Sequence, residues 1–444
     1  MLSVGDFLKR HPFFSFDIRE CIRSYQYKDF LAGRLRSFDA LLRGDVQEVT
    51  PAAFEAEVRN HLCRHIPAYS SYEEFASFDR YPTITKDRLR ANPQLFRNIS
   101  GSPDLWVKRS TGTTGRPFDT FLSAEFHLEE LFLSLRKIAL SKHVEIGRHE
   151  VFCVTLFQSD IKPAIVHQDP LESIGLMARL SIDERRPDSI KHAIEFMLQN
   201  KPELVVSKPT FFEAILRSAA GTQLLRKIGA KLVVSSGCAL HEGLRDEIGR
   251  VFGCPVTDAY VLSEFGMVAA ECPAESGLHV DTTGTFAETH DSGGNIINDG
   301  ARGEIVLSSL RNSGMLLIRY RTGDTGVLDP SKCWCGNPSP RLVRIAGKDI
   351  PCFWASDGTG FDPSRLNHIV FRETFTAEYQ ALQTAPNIIN VVLYPADSAK
   401  GRIPQRLKAM IRAAIPNIFD VQICASDSPP NHPAAHRFVR VLEG

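Results

Sequence analysis

The sequence predicts an α/β protein, with a large multi-layer N-terminal domain of sheets and helices followed by a small α+β C-terminal domain. Three observations carry that expectation. Apolar, β-branched runs at 151–156 (VFCVTL), 204–206 and 231–235 alternate with helix-period stretches, which implies βαβ layers around a parallel sheet. The 444 residues exceed what a single core usually supports. Beyond Ala346-Gly347-Lys348-Asp349 a fresh set of strand and helix signals begins, so the expected division is 1–347 and 348–444.

Taken in order, the first hundred residues read as mostly helical, punctuated around Pro12, Pro51, Pro67 and Pro82. The stretch 123–143 is a helix, with Phe126, Leu131, Leu135 and Ile138 near helical spacing. After the strand 151–156 come a helix at 189–199, the strand 204–206, a helix at 210–219 and the strand 231–235. A helix at 242–252 and a strand at 255–260 complete that region, and 303–308 with 315–320 read as a later β pair. In the last hundred residues, strands at 389–394 and 421–424 flank a helix at 405–414. No internal repeat or low-complexity tract is visible.

Lys+Arg and Asp+Glu are both 52, so the formal net charge is zero, which argues against bulk attraction to nucleic acid or to an acidic membrane surface. No apolar run approaches the roughly 20 residues that span a bilayer. Asp6, Lys9 and Arg10 interrupt any secretory apolar segment, and the expected location is the cytoplasm. Most of the ten cysteines, among them Cys63, Cys153 and Cys424, stand singly in apolar surroundings and read as reduced core residues.

The chemistry concentrates in a few segments. Ser110-Thr111-Gly112-Thr113-Thr114-Gly115-Arg116-Pro117 holds two glycines, four hydroxyls and a guanidinium. Such a loop can bend around an anion and converge backbone N–H groups, hydroxyls and charge-assisted donors on phosphate oxygens. The lysine and spacing of the G-x-x-x-x-G-K-[ST] loop are absent, and taken alone the segment is equally an ordinary polar turn. Five segments follow in order: Ser236-Gly237-Cys238-Ala239-Leu240, Asp258-Ala259-Tyr260-Val261-Leu262-Ser263-Glu264, Tyr320-Arg321-Thr322-Gly323-Asp324, a run from Arg341 through Arg344 to Asp349, and the tail His436-Arg437-Phe438-Val439-Arg440-Val441.

Together, in that order, the six segments resemble the adenylate-forming (acyl/aryl-CoA synthetase, AMP-binding) superfamily, and within it the phenylacetate–CoA ligase branch, from about Trp106 onward. The resemblance implies that a carboxylate attacks the α-phosphate of ATP, giving an acyl-adenylate and pyrophosphate, before transfer to an acceptor. It implies that Ser110, Thr111, Gly112, Thr113, Thr114, Gly115 and Arg116 hold the β- and γ-phosphates. Tyr260 would cover the adenine, with Gly237, Cys238, Asp258, Ala259 and Ser263 lining the nucleotide pocket. Glu264 would be a Mg²⁺ ligand, a hard oxygen donor for a hard cation. Asp324 would accept the ribose hydroxyls, and Arg344 would add ribose or phosphate contacts. The small C-terminal domain would be mobile, rotating about Lys348 or Asp349.

Cys333-Trp334-Cys335-Gly336, with Cys272 and His279 upstream, supplies three thiols and an imidazole, enough for a closed structural Zn²⁺ site clamping two loops. The alternative is a pair of reduced thiols beside a core histidine. Two departures from the family stand out. Its C-terminal active-site lysine is replaced by Arg437, and Arg116 occupies a position where lysine is common; guanidinium keeps the charge but not the shape. The post-hinge glycine segment matches 356–361 poorly, which leaves the acceptor open between CoA, an amine and a carrier or enzyme thiol. The expected substrate is a small aromatic acid. A catalytically silent nucleotide-binding protein is the remaining alternative.

Overall fold

The computed structural model describes residues 4–45, 48–100, 105–109, 118–147, 149–157, 164–171, 175–182, 187–218, 222–237, 240, 242–346, 353–357, 359–361, 363, 366–370, 376–395, 403–426 and 438–440. The described chain forms two compact units. One comprises Met1–Thr85, Gln94–Trp106 and Phe121–Gly347; the other comprises Lys86–Pro93, Val107–Thr120 and Lys348–Gly444.

Two short strands, β1 (Trp106–Arg109) and β2 (Asp119–Leu122), pair with each other on either side of residues 110–117. The first unit is built on a twelve-stranded sheet. Its strands are β3 (Val151–Phe157), β4 (Ala164–Gln168), β5 (Leu176–Ser181), β6 (Leu204–Ser207), β7 (Leu232–Ser236), β8 (Val256–Leu262), β9 (Gly266–Glu271), β10 (Leu278–Val280), β11 (Thr285–His290), β12 (Gly303–Ser309), β13 (Leu317–Asp329) and β14 (Arg341–Ala346). Their spatial order is β11-β12-β13-β14-β10-β9-β8-β7-β6-β3-β5-β4. From β5 through β3, β6 and β7 to β8 the pairing is parallel. From β8 to β11 every pairing is antiparallel.

This division follows from sequence. The parallel strands are covered on both faces and so are near-continuous apolar runs, as in the wholly buried Leu204-Val205-Val206 of β6. Val154, Val205 and Val233 face one core with Phe212, Ile248 and Phe252, whereas Leu204, Val206 and Val234 face another with Phe38, Leu41 and Ile138. The helices Pro187–Asn200, Pro209–Ser218 and Glu242–Phe252 connect the strands where their periodicity indicated. Strands β4, β5, β9, β10, β11 and β14 carry weaker signals that the sequence reading did not resolve.

The single expected helix at 123–143 is observed as Ala124–Phe132 and Ser134–Ser141. The hydrogen bonds Leu133 N–H to Glu129 O and Lys137 N–H to Leu133 O, both 2.8 Å, run through the joint, so Leu133 marks a local irregularity in one rod. On that rod Glu129 and Lys137 are 1% and 0% exposed. The Lys137 ammonium donates to Glu129 (2.8 Å) and to Asp281 (2.7 Å), while Arg311 (3.0 Å) and Arg34 (3.1 Å) also reach Glu129. Burial alone would raise Glu129 and Asp281, but these cations outweigh it and hold both carboxyls below the usual carboxylate range.

In the second unit, β17 (Thr376–Ala385) and β18 (Ile388–Pro395) form a hairpin. Flanking them are the parallel neighbours β20 (Phe438–Arg440) and β19 (Asp420–Ala425), with the short pair β15 (Phe353–Trp354) and β16 (Gly360–Phe361) nearby in sequence. The helix Gln405–Ala414 buries Leu407, Ile411 and Ala414, at spacings of four and three, in a core with Val391 and Leu393. Cys424, expected in a core, is instead exposed, because along β19 Val421 and Ile423 face the core and Cys424 alternates to the opposite face. Among the described residues, no helix is long and apolar enough to cross a membrane.

Candidate functional site

Strand β8 is the last parallel strand, and its carboxyl end opens into a turn of Ser263, Glu264 and Phe265 before Gly266 pairs back with Leu262. Such a change of strand direction leaves the carboxyl end of a parallel strand free to present side chains. Two features hold the turn. Gly266 has φ +65°, and a Cβ there would stand 1.8 Å from the Glu130 carboxyl carbon. The backbone of Met267 is gripped on both sides: its N–H donates to Glu130 (2.7 Å), and Arg311 donates to its carbonyl (3.0 Å) while also bonding Glu130.

The second contributor is β13. Its register against β12 places Thr325 opposite Glu304 and Arg321 opposite Val306, so Thr322, Gly323 and Asp324 bulge out opposite Ile305. Gly323 supplies the positive φ of +79° that the bulge needs. The Thr322 hydroxyl caps the Asp324 N–H at 3.0 Å. Residues 322–324 therefore form a bulge inside a longer strand, which aims Asp324 toward β8.

Two phenol–carboxylate hydrogen bonds cross between these elements. Tyr260 of β8 donates to Asp324 at 2.6 Å, and Tyr320 of β13 donates to Glu264 at 2.7 Å. Glu264 is 6% exposed and Tyr320 fully buried. Burial, and then the Asp324 carboxylate, push the Tyr260 phenol well above its ordinary range, so it remains a donor.

Farther along β8, Asp258 accepts the Ala259 N–H (3.0 Å), and its own N–H donates to Glu271 (3.2 Å), which Arg245 grips with two nitrogens at 3.0 and 2.7 Å. Burial, reinforced by the Glu271 charge, raises the Asp258 carboxyl to about 7. Gly237, with φ +84°, follows β7 on the neighbouring strand, where Ser236 pairs with Ala259. Arg344 is exposed with φ +52°, in the β14 segment whose Ala346 pairs with Thr325, next to Asp324.

Of the residues singled out from sequence, Tyr260 and Asp324 are bonded directly, and Glu264, at the end of the Tyr260 strand, is bonded to Tyr320 of β13. Asp258, Ala259 and Ser263 share their strand and turn, and Gly237 and Arg344 lie on neighbouring strands. Ser110, Thr111, Gly112, Thr113, Thr114, Gly115, Arg116, Pro117, Cys238, Arg437 and the hinge residues Lys348 and Asp349 lie outside the described residues. Sequence reasoning missed the roles of Tyr320, Glu130, Arg311, Glu271 and Arg245. Only Tyr320 had a local signal, as the first residue of the Tyr-Arg-Thr-Gly-Asp segment.

The Cys/His cluster forms at a second place. Cys272 follows β9, His279 lies on β10, and Cys333 with Cys335 occupies the loop joining β13 to β14; β10 lies between β9 and β14 in the sheet. The four donor atoms all lie within 4.8 Å of one another, with Cys272 and Cys333 sulfurs 3.3 Å apart and Cys335 Sγ 3.2 Å from His279 Nε2. His279 Nδ1 is 2.7 Å from the Ser339 carbonyl, and donating to it fixes the tautomer with Nε2 turned to the thiols. The Ala274 N–H and the Ser276 hydroxyl lie 3.3 and 3.1 Å from the Cys272 and Cys333 sulfurs. The donor set fits a closed tetrahedral site.

No family model matches the chain. Protein CapK of Staphylococcus aureus is 24% identical over 358 residues, spanning 75% of this chain and 73% of that protein. The phenylacetate-coenzyme A ligase of Escherichia coli is 24% identical over 355 residues, spanning 72% and 75%. That of Thermus thermophilus is 32% identical over 153 residues, spanning 33% and 34%. Among solved structures, 2-hydroxyisobutyryl-CoA ligase in complex with 2-HIB-AMP and CoA in the thioesterification state shares the fold with a TM-score of 0.57 and 16% identity, covering 92% of this chain and 90% of that one. An open conformation of the same ligase gives a TM-score of 0.53 at 18% identity, covering 88% and 92%. The chain is thus similar to the phenylacetate–CoA ligase-like branch of the adenylate-forming ligases, and it has an α/β acyl-CoA-ligase fold.

Proposed function

We propose that this protein is an AMP-forming acid ligase: it activates a small carboxylic acid with ATP as an acyl-adenylate, releases pyrophosphate and passes the acyl group to an acceptor. The observation that carries this reading is the meeting of Glu264 and Asp324 at the carboxyl end of β8, each held by a tyrosine from the opposite element. The similarity to phenylacetate–CoA ligases supports it.

In this reading Asp324 offers its acceptor oxygens to the ribose hydroxyls. Its Oδ2 already takes the Tyr260 hydroxyl, and a carboxylate has lone pairs enough to hold both. Tyr260, with Asp258, Ala259, Ser263, Gly237 and Cys238, lines the adenine side, and Arg344 supports the ribose or phosphates. Glu264 is the residue that would hold Mg²⁺, which when bound neutralises developing phosphate charge. Ser110 to Gly115 with Arg116, and Arg437 from the C-terminal domain, are assigned to the phosphates. The acid's carboxylate oxygen attacks the α-phosphorus, the bond to the β-phosphate oxygen breaks, and pyrophosphate leaves with the electron pair. Most of the acceleration comes from positioning and charge neutralisation.

CoA is the first acceptor to test, because the similar enzymes are named for it. An amine or a carrier thiol is distinguished by omitting CoA. The aromatic preference is part of the same proposal. Pyrophosphate–ATP exchange, measured against a panel of aromatic and aliphatic acids with and without Mg²⁺, tests the reading. Acid-dependent exchange that vanishes without Mg²⁺ is expected; absence of both exchange and AMP binding across the panel overturns it.

Zinc is proposed at Cys272, His279, Cys333 and Cys335 as a structural clamp between the end of β9 and the β13–β14 loop. Protein purified without added metal should carry a single equivalent of zinc, measured by elemental analysis, and Cys333→Ser should lose it together with thermal stability. Metal-free wild-type protein of unchanged stability would contradict the assignment.

A further inference from the structure

The nucleotide reading assigns Glu264 and Asp324 but leaves Tyr320 without a task, although its hydroxyl is the donor to Glu264. Tyr320 is among the largest fully buried side chains of the described residues. Its strand pairs with β12 on one side, with Tyr320 opposite Leu307. On the other side Ile84 bridges it through two backbone bonds: Ile84 N–H to Arg319 O (2.9 Å) and Arg321 N–H to Ile84 O (2.8 Å). The Phe265 ring, next to Glu264, packs on the Tyr320 ring with centroids 5.6 Å apart. The turn carrying Glu264 is clamped independently through Met267 by Glu130 and Arg311. The backbone on both sides of the Tyr320–Glu264 bond is therefore fixed before any ligand arrives.

We infer that Tyr320 is a positioning residue for the cation site, and that the two crossed tyrosine–carboxylate bonds divide the work: Tyr320 orients Glu264 for the metal, while Tyr260 orients Asp324 for the nucleotide. This inference rests on the reading of Glu264 and Asp324 above. The physical argument concerns direction and charge. A carboxylate that is 6% exposed needs a hydrogen-bond donor to keep its plane fixed. A rigid buried phenol bound to Oε1 sets the torsion of the whole group, and with it the direction in which the remaining lone pairs point. Removing such a supporting partner typically weakens metal affinity by roughly 10–100-fold. The same argument applied to Tyr260 predicts loss on the nucleotide side.

The test is a pair of variants, Tyr320→Phe and Tyr260→Phe, each keeping the ring and removing only the hydroxyl. Two readouts are taken on the full chain: the Mg²⁺ concentration giving half-maximal pyrophosphate–ATP exchange, and AMP affinity measured calorimetrically without Mg²⁺. Tyr320→Phe should raise the half-maximal Mg²⁺ concentration about tenfold or more and leave metal-free AMP affinity within about twofold. Tyr260→Phe should weaken metal-free AMP binding and leave the Mg²⁺ requirement nearly unchanged. A Tyr320→Phe protein with the wild-type Mg²⁺ requirement, or one that loses both properties in parallel or fails to fold, overturns the inference. Wild-type protein that neither exchanges nor binds AMP would instead defeat the underlying ligase reading.

Discussion

Replacing Lys137 by methionine should destabilise the protein by about 3–5 kcal/mol, the usual consequence of removing one partner from a buried ionic network. Lys137 is wholly buried and is the ammonium shared by Glu129 and Asp281. Methionine fills similar volume, so the loss measures charge rather than a cavity. Glu129 retains Arg311 and Arg34, but Asp281, 1% exposed, loses its directly bonded cation and keeps only the more distant Arg311 charge. The effect should also depend on pH in a defined direction. Both carboxyls are held below their ordinary range in the folded protein. Their contribution is therefore complete above the unfolded carboxylate pKa, near 4, and is lost as pH falls through the lower folded values. Denaturant unfolding at pH 7 should show the full deficit, which narrows below about pH 4 as the carboxylates that Lys137 served take up protons. A deficit under about 1 kcal/mol at pH 7, or one that widens on acidification, would show that the network does not stabilise the fold.

Gly266→Ala should cost about 2–4 kcal/mol and remove most of the exchange activity. A left-handed backbone costs a non-glycine residue roughly 1 kcal/mol, and overpacking adds about 1–3 kcal/mol. Here the obstacle is specific: at φ +65° the new Cβ would lie 1.8 Å from the Glu130 carboxyl carbon. That carboxylate must move, and it is the group that holds the Met267 N–H and pairs with Arg311. The disturbance reaches Glu264, two residues earlier in the turn, so activity should fall further than stability alone explains. Measuring exchange at a temperature where the variant is fully folded separates the two effects. Normal exchange by folded Gly266→Ala protein would mean that the turn does not govern the site.

The parallel half of the sheet, apart from β5, was legible because strands covered on both faces are mostly apolar, and helices between them keep their own period. In the antiparallel half, β12 and β13 were legible as the expected β pair, but their neighbours were not. Strands such as β10, with three residues, and β14, which carries Arg341 and Arg344, have too little pattern to stand out. The strand expected at 315–320 also proved longer, running to Asp329. Thr322 to Asp324 has the composition of a turn, and only its register against Glu304 and Val306 makes it a bulge within a strand. Cys424 was read as core from apolar neighbours, although the period of two along its strand gives the core face to Val421 and Ile423.

The sequence by itself determined the chemistry: which residues carry carboxylates, phenols, thiols and glycines, and the order in which their segments occur. That order is what resembles the adenylate-forming ligases. Only the tertiary structure decided who touches whom. Tyr260 and Asp324 are 64 residues apart, and Tyr320 and Glu264 are 56 apart. Nothing local in either segment specifies that the two bonds cross. Local periodicity encodes strands and helices, whereas the order of strands in a sheet is set by burial summed over the whole unit. The Lys137 network and the Cys272–His279–Cys333–Cys335 cluster arise in the same way, from elements made neighbours by the sheet and helices rather than by the chain.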